Sequence, residues 1–279
     1  MMIDSHQHFW SLARGDYPWP DESVASIFRD FGPQDLIELL KASGVSQTVL
    51  VQATDSIAET EFLLDIATQN NFAKGVVGWV DLDDAAAPTF LDKFAQNAAF
   101  KGVRPMLQNI DDTNWILRPN VLANLAEVAA RGLRMDALIL PRHLEVLARV
   151  AEALTDLPIV IDHCAKPIIA NGADASENWR TGMANLARFP NVFCKISGLA
   201  TEVGPSWSVD GLQHVIDHVI AQFGPKRVMW GSDWPVINLV GDYGKWRRAS
   251  DQLFNGLTKA DRARVYGGTA AQFYGLEIK

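Results

Sequence analysis

Two histidines near the start of the chain stand one residue apart, in the sequence His6-Gln7-His8. They end a short run, Met2–His8, that we predict as the first β-strand. Because alternate residues of a strand point to the same side, both imidazoles can face one point, as chelation of a metal ion requires. Such a pair alone is more often structural, but its position at the end of a predicted strand favours a functional site.

A third histidine and an aspartate also end predicted strands. His163 ends the apolar run Ile159–His163, and Asp233 ends the run Arg227–Asp233. A carboxylate among tryptophans is unfavourable to bury unless it is paired or bound to a metal. Together with the N-terminal histidine pair, these residues form a ligand set suited to one Zn²⁺ or Mn²⁺ ion.

This set of residues suits hydrolysis. A metal lowers the pKa of its bound water to about 7, and Asp233 beside it can accept the proton and return it to a leaving oxygen. His163 is the alternative base, and Asp233 with His163 can activate water without a metal. Arg104 and Lys166 are the cations that we expect at the same place, where either can stabilise an oxyanion or bind the substrate. Solvated surface positions are the alternative for both.

Long segments follow several of the predicted strands and are rich in tryptophan. In barrels of alternating strands and helices, such segments build the ligand site. We expect Trp10 and Trp234, next to the predicted ligands, to contact the substrate, and the other tryptophans to complete an aromatic wall. The tryptophans in or beside these segments are Trp10, Trp19, Trp115, Trp179, Trp207 and Trp234.

The remaining histidines fit structural roles better. His214 and His218 have the i, i+4 spacing of helical metal ligands, but the glutamate that follows the first histidine in zinc proteases is missing. They lie opposite the apolar face of the helix predicted at Asp210–Phe223, so we expect both to be solvated. His143 is expected at the surface.

Eight β-rich runs alternate with amphipathic segments along the chain. This order predicts a single (β/α)8 barrel domain over residues 1–279, with Thr258–Leu276 as an extra C-terminal helix. An open doubly wound sheet is the alternative, but the glycine-rich nucleotide motifs of such sheets are absent. The predicted strands are Met2–His8, Gln47–Ala53, Lys74–Asp81, Lys101–Met106, Leu133–Leu138, Ile159–His163, Val192–Ser197 and Arg227–Asp233. Helices are predicted at Leu36–Leu40, Phe62–Ile66, Phe90–Phe94, Leu122–Val128, Leu144–Leu154, Trp179–Leu186 and Asp210–Phe223.

Composition excludes several classes of function. The chain carries 25 basic and 33 acidic residues, a net charge of −8, which argues against nucleic acid or an anionic membrane as its main partner. No apolar stretch approaches the roughly 18 residues of a membrane span, and no signal peptide is visible, so a cytoplasmic protein is expected. The two cysteines, Cys164 and Cys194, provide no disulfide framework and are expected to be buried thiols.

Six short sequences spread over the chain form a recognisable set: Ile3–His8, Gly102–Pro105, Asp162–Pro167, Lys195–Gly198, Trp230–Pro235 and Val265–Tyr274. Together they resemble the amidohydrolase superfamily, and more narrowly the amidohydrolase-related branch of barrel hydrolases that contains the sugar lactonases.

The resemblance implies a distorted (β/α)8 barrel that hydrolyses small esters or lactones, with His6, His8, His163 and Asp233 as its metal or catalytic cluster. Many amidohydrolases add a carbamylated lysine and a further histidine that hold a second metal. Here Lys101 lies at the wrong end of its predicted strand, so we expect one metal at most. The branch also includes lactonases that work without a metal.

The leading prediction for function is therefore a lactonase that opens a small sugar-acid lactone, such as L-fuconolactone or L-rhamnonolactone. The alternative is a metal-dependent decarboxylase of an aromatic or related organic acid, because related barrels catalyse that reaction. A binding barrel without catalysis is disfavoured, since it has no need of four converging ligands. The sequence makes no prediction of the oligomeric state.

Overall fold

A computed structural model describes residues 1–169 and 176–277 of the chain. Its centre is a sheet of eight parallel strands that follow one another in sequence order. Continuous apolar runs such as Val49-Leu50-Val51 are fully buried, as expected for strands that are covered on both faces. The strands are β1 (Ile3–Gln7), β2 (Gln47–Val51), β3 (Ala73–Gly78), β4 (Phe100–Val103), β5 (Arg134–Ala137), β6 (Ile159–Ile161), β7 (Val192–Ile196) and β8 (Val228–Trp230).

The sheet closes into a barrel where β1 meets the segment after β8. Gln7 forms a parallel bridge with Trp234. Next to it, the backbone N–H of His8 donates to the Trp234 carbonyl (2.7 Å), and the N–H of Asp233 donates to the His6 carbonyl (2.8 Å). The predicted (β/α)8 barrel is confirmed, and its closure brings the two ends of the sequence together at the predicted site.

Helices surround the barrel in the described part of the chain. The two helices α7 and α9 are additional to the predicted set, and the predicted C-terminal helix is divided into α10, a π-helical turn at Arg264–Gly268, and α11. The helices are α1 (Pro33–Ser43), α2 (Ile57–Gln69), α3 (Ala87–Ala95), α4 (Pro119–Ala130), α5 (Leu144–Ala153), α6 (Glu177–Leu186), α7 (Leu199–Val203), α8 (Val209–Phe223), α9 (Tyr243–Leu253), α10 (Lys259–Ala263) and α11 (Thr269–Tyr274).

Helix α11 closes the amino end of the barrel. Its apolar side chains, including Phe273, pack with Ile3 and Val160 from inside the barrel. The Arg134 guanidinium, at the start of β5, donates to the Phe273 carbonyl (2.5 Å). The carboxyl end of the barrel is thus left as the mouth for a ligand. In the described residues, no helix combines the length and apolarity that crossing a bilayer requires.

Candidate active site

The structure brings His6, His8, His163 and Asp233 together at the carboxyl end of the barrel, where each is at most 5% exposed. His6 lies in β1 and His8 directly follows that strand. His163 and Asp233 were predicted as the last residues of strands, but β6 ends at Ile161 and β8 ends at Trp230. Both residues instead lie in short turns beyond the strands.

The side-chain nitrogen and oxygen atoms of this cluster face one point. His8 Nε2 lies 3.2 Å from His6 Nε2 and 3.3 Å from Asp233 Oδ1. The same Asp233 oxygen is 3.7 Å from His6 Nε2 and 3.9 Å from His163 Nε2. Ligands about 2.0–2.2 Å from a tetrahedral zinc ion lie about 3.4 Å from one another. The spacing of these four groups therefore fits one divalent cation.

The orientation of His8 supports the same interpretation. Its Nδ1 lies 2.7 Å from the Val51 carbonyl oxygen. A carbonyl can only accept, so Nδ1 carries the proton and a neutral His8 presents a lone pair at Nε2. That lone pair faces the carboxylate of Asp233, and two facing acceptors are stabilised by a cation between them. The second nitrogen of the ring is thus oriented by the backbone, as in metal-binding histidines.

The surroundings of Asp233 favour its charged form. Burial by itself raises the pKa of this carboxyl group, but interactions with His163, His8 and His6 outweigh it, so its pKa lies well below its usual range. For His163, burial lowers the pKa, with opposing contributions from Asp233 and Asp162. At neutral pH Asp233 is therefore a carboxylate that faces imidazole nitrogens, an arrangement that suits the binding of a cation.

Asp4 holds the backbone that carries Asp233. One carboxylate oxygen accepts from the N–H of Ser232 (2.8 Å) and the N–H of His6 (3.2 Å), and the other accepts from the Tyr243 hydroxyl (3.0 Å). Burial raises the pKa of Asp4 to about 6, although these hydrogen bonds oppose the shift. Asp233 itself has a φ of 56°, in the left-handed region. Such a conformation persists only where neighbouring contacts impose it, and Asp4 supplies one of them through the N–H of the preceding Ser232.

His163 begins a left-handed turn of four non-glycine residues, His163–Lys166, with φ values of 52°, 52°, 59° and 49°. Each such residue is disfavoured by roughly 1–2 kcal/mol. The turn is held by the Trp179 indole, which donates to the Cys164 carbonyl (2.8 Å). Gly198 packs against the His163 ring so closely that a Cβ there would lie 2.5 Å from Nδ1. The turn thus directs the His163 side chain into the mouth of the barrel, although strand β6 ends two residues earlier, at Ile161.

Gln52, which was not among the predicted site residues, holds the Arg104 side chain in place. The Arg104 Nη2 donates to the backbone carbonyl of Gln52 and to its side-chain oxygen, the latter at 2.9 Å. The other terminal nitrogen, Nη1, lies 3.5 Å from Asp162 Oδ2. Arg104 is only 3% exposed and lines the cavity described below, so its predicted alternative as a solvated surface residue is wrong.

A buried ionic cluster around Lys195, which was not among the sequence-based predictions, lies beneath the site. The Lys195 Nζ lies 2.5 Å from Asp136 Oδ2, 3.1 Å from Asp162 Oδ1 and 3.1 Å from His6 Nδ1. These three partners themselves form a group with the spacing of metal ligands, and the ammonium supplies the positive charge among them. Burial raises the pKa of Asp136 to about 6 even though Lys195 opposes the shift. A charged residue in the middle of an apolar predicted strand is the signal that could have located this cluster.

A cavity of about 390 Å³ opens above the histidine–aspartate cluster. His8, His163, Asp233, Arg104 and Lys166 all line it. This volume lies within the range of roughly 300–1,000 Å³ that is usual for small-molecule sites. The predicted site residues, His6 and Trp234 excepted, therefore border one space that can hold a ligand.

The predicted aromatic wall is smaller than expected. Among the described residues, Trp10 and Trp19 line the cavity, but Trp234 does not. Trp234 is 1% exposed and packs edge-on against Phe9 and Phe31, outside the lining of this cavity, so its contact with the substrate stays a prediction. A large indole ring can pack between the barrel and its loops as readily as it can contact a ligand. Trp115, Trp179 and Trp207 likewise take no part in lining the cavity.

Three histidines predicted at the surface are more buried than expected. His143 is 2% exposed, and its Nδ1 accepts from the N–H of Leu140 (3.1 Å). His214 and His218 on α8 are half-buried. The His218 ring lies 5.2 Å from that of Trp179 and its Nε2 lies 3.0 Å from the Arg180 carbonyl. Cys164 and Cys194 are buried free thiols, as predicted.

The barrel agrees with the comparison to known families. The sequence profile of the amidohydrolase family matches residues 3–276, and the chain belongs to this family.

Among individual relatives, the chain is 45% identical to an L-fucono-1,5-lactonase of Burkholderia ambifaria, over 99% of this chain and 96% of that protein. A crystal structure of an amidohydrolase from Burkholderia multivorans with bound zinc is 32% identical and matches with a TM-score of 0.93, over 99% of this chain and all (100%) of the other. A 2,6-dihydroxybenzoate decarboxylase from Rhizobium shares the fold alone, at 14% identity and a TM-score of 0.66 over 98% of both chains.

Proposed function

We propose that this protein hydrolyses the 1,5-lactone of a small sugar acid, with L-fucono-1,5-lactone as the first candidate substrate. The observation that carries the proposal is the Asp233 carboxylate, which lies within 3.9 Å of three histidine nitrogens beside a cavity that Arg104 lines. The 45% identical lactonase supports the choice of substrate class. The decarboxylase alternative has weaker support, since the decarboxylase shares only the fold with this chain.

We further propose that His6, His8, His163 and Asp233 hold one divalent cation, zinc or manganese. A cation bound there would supply Lewis acidity towards water and the lactone carbonyl. The zinc-containing relative and the ligand spacing support this site. The Lys195 ammonium already neutralises the deeper group of carboxylates, which supports a site for one metal rather than two.

The protein groups have distinct roles in the proposed reaction. Asp233 accepts a proton from the water that adds to the lactone carbonyl carbon, and then delivers it to the ring oxygen as the carbon–oxygen bond breaks. His163 is the alternative acceptor of that proton. The Arg104 guanidinium, held rigidly by Gln52, stabilises the negative charge on the carbonyl oxygen or binds a substrate hydroxyl. Lys166 and Trp10 complete the proposed contacts with the substrate.

The proposal is tested with a panel of lactones, monitored by acid release above the uncatalysed rate, in parallel with CO₂ release from benzoate-type acids. We expect acid release from sugar 1,5-lactones, its loss after treatment with a chelator, and its recovery with Zn²⁺ or Mn²⁺. Metal analysis of the purified protein accompanies the assay. Release of CO₂ without lactone hydrolysis would support the decarboxylase instead. Undiminished hydrolysis in chelator by metal-free protein would refute the metal requirement alone.

Replacement of Arg104 by methionine is expected to lower kcat/KM about tenfold to a hundredfold, because a charge-assisted hydrogen bond contributes about 1.5–3 kcal/mol. A fall in kcat assigns the guanidinium to the oxyanion, whereas a rise in KM assigns it to substrate binding. Arg118→Met, at an exposed arginine, is the matched control. Wild-type kinetics in Arg104→Met would contradict a role for Arg104 in either catalysis or substrate binding.

A further inference from the structure

Both cations that line the cavity are paired with carboxylates. Lys166 Nζ lies 2.9 Å from Glu202 Oε1, with the two side chains 19% and 28% exposed. Arg104 has Asp162 as its counter-charge. Of the described residues that line the cavity, Asp55, Glu202 and Asp233 are acidic, and only Arg104 and Lys166 are basic. The described carboxylate, lysine and arginine side chains of the cavity lining therefore carry no excess of positive charge among themselves.

The position of the Lys166–Glu202 pair is set by backbone that also contacts His163. Lys166 ends the left-handed turn that His163 begins, and its N–H donates to the His163 carbonyl (2.9 Å). Glu202 lies on α7, whose first residue follows Gly198, and Gly198 packs against the His163 ring. The pair thus has a fixed place beside the reacting groups, within reach of a ligand in the cavity.

Lactone hydrolysis converts an uncharged substrate into a carboxylate product. We propose that Glu202 is a specificity-determining positioning residue: by pairing Lys166, it makes the cavity select uncharged lactones and release the anionic product. This inference rests on the proposed lactonase function. An unpaired ammonium at the same place would bind a substrate carboxylate and would retain the product.

The test uses Glu202→Gln, which keeps the shape of the side chain and removes its charge. Two substrates are compared: an uncharged aldono-lactone and an aldaro-lactone, which carries an additional carboxylate at its terminal carbon. We expect the ratio of kcat/KM for the charged over the uncharged lactone to rise at least about tenfold, the effect of one charge-assisted hydrogen bond. The inhibition constant of the aldonate product is expected to fall by a similar factor.

Two further variants test whether the effect of Glu202→Gln comes from the freed Lys166 ammonium or from a general change in the charge of the cavity. Asp55→Asn removes one negative charge from an exposed position that lines the same cavity, and the ratio should change less than about threefold because solvent screens such a charge. In the double variant Lys166→Met/Glu202→Gln, the ratio and the inhibition constant should return towards the wild-type values, because no free ammonium remains.

The inference is overturned if the wild-type protein hydrolyses the uncharged lactone but Glu202→Gln leaves both the ratio and the product inhibition constant within twofold of wild type. An equal effect of Asp55→Asn also overturns it. If the wild-type protein opens no lactone, the proposed function fails by itself. Calorimetric titration with an aldonate then decides the inference, since Glu202→Gln should still bind the anion about tenfold more tightly than wild type.

Discussion

Asp233→Asn is expected to lower kcat for lactone hydrolysis by about 10²–10⁴, the usual contribution of a general acid–base group. Asparagine has nearly the same shape as aspartate but cannot accept the proton of the attacking water. The hydrogen bond from the backbone N–H of Asp233 to His6 does not depend on the side chain, so the barrel should remain closed. The measurement is kcat on the substrate that the lactone panel identifies.

Three further measurements accompany this prediction. Circular dichroism should be unchanged, and Asp217→Asn, at an exposed aspartate on α8, should keep wild-type kcat. The Zn²⁺ affinity of Asp233→Asn should also fall, since one of the four proposed ligands becomes a weaker one. If Asp233→Asn retains more than about a tenth of wild-type kcat, its loss is below the usual acid–base range, and His163 becomes the preferred base.

Lys195→Met should destabilise the fold by about 3–5 kcal/mol, the usual penalty for removing one partner of a buried ion pair. Lys195, Asp136 and Asp162 are all fully buried, with 0% exposure, so loss of the ammonium leaves two carboxylates close together in the barrel. Tyr274 of α11 donates to Asp136 (2.8 Å), which couples this cluster to the helix that closes the barrel. Urea denaturation measures the change in the free energy of unfolding.

The matched control is Lys101→Met, at a half-buried lysine in β4, where a change below about 1 kcal/mol is expected because solvent screens the charge. The double variant Lys195→Met/Asp136→Asn should recover part of the lost stability, since it removes one of the two uncompensated carboxylates. A loss below 1 kcal/mol in Lys195→Met alone would contradict the assignment of Lys195 as the charge that balances this cluster.

The sequence by itself determined the architecture and the location of the site. Eight apolar runs alternating with helical segments specify a parallel barrel, because every strand must be covered on both faces. In such a barrel all strands end at the same mouth, so polar residues at the ends of distant runs must meet. That rule predicts that His6, His8, His163 and Asp233 lie together, as they do in the structure.

Tertiary structure alone decided how these groups are held and which neighbours matter. Asp4, Gln52 and Lys195 act through partners far away in sequence: Asp4 is hydrogen-bonded to Ser232, Gln52 to Arg104, and Lys195 to Asp136. No local pattern encodes such pairs, because a buried polar group can be satisfied by any donor or acceptor that the fold brings near. The same reason explains Trp234: its type and position suggested a substrate contact, but packing against Phe9 and Phe31 placed it outside the cavity lining.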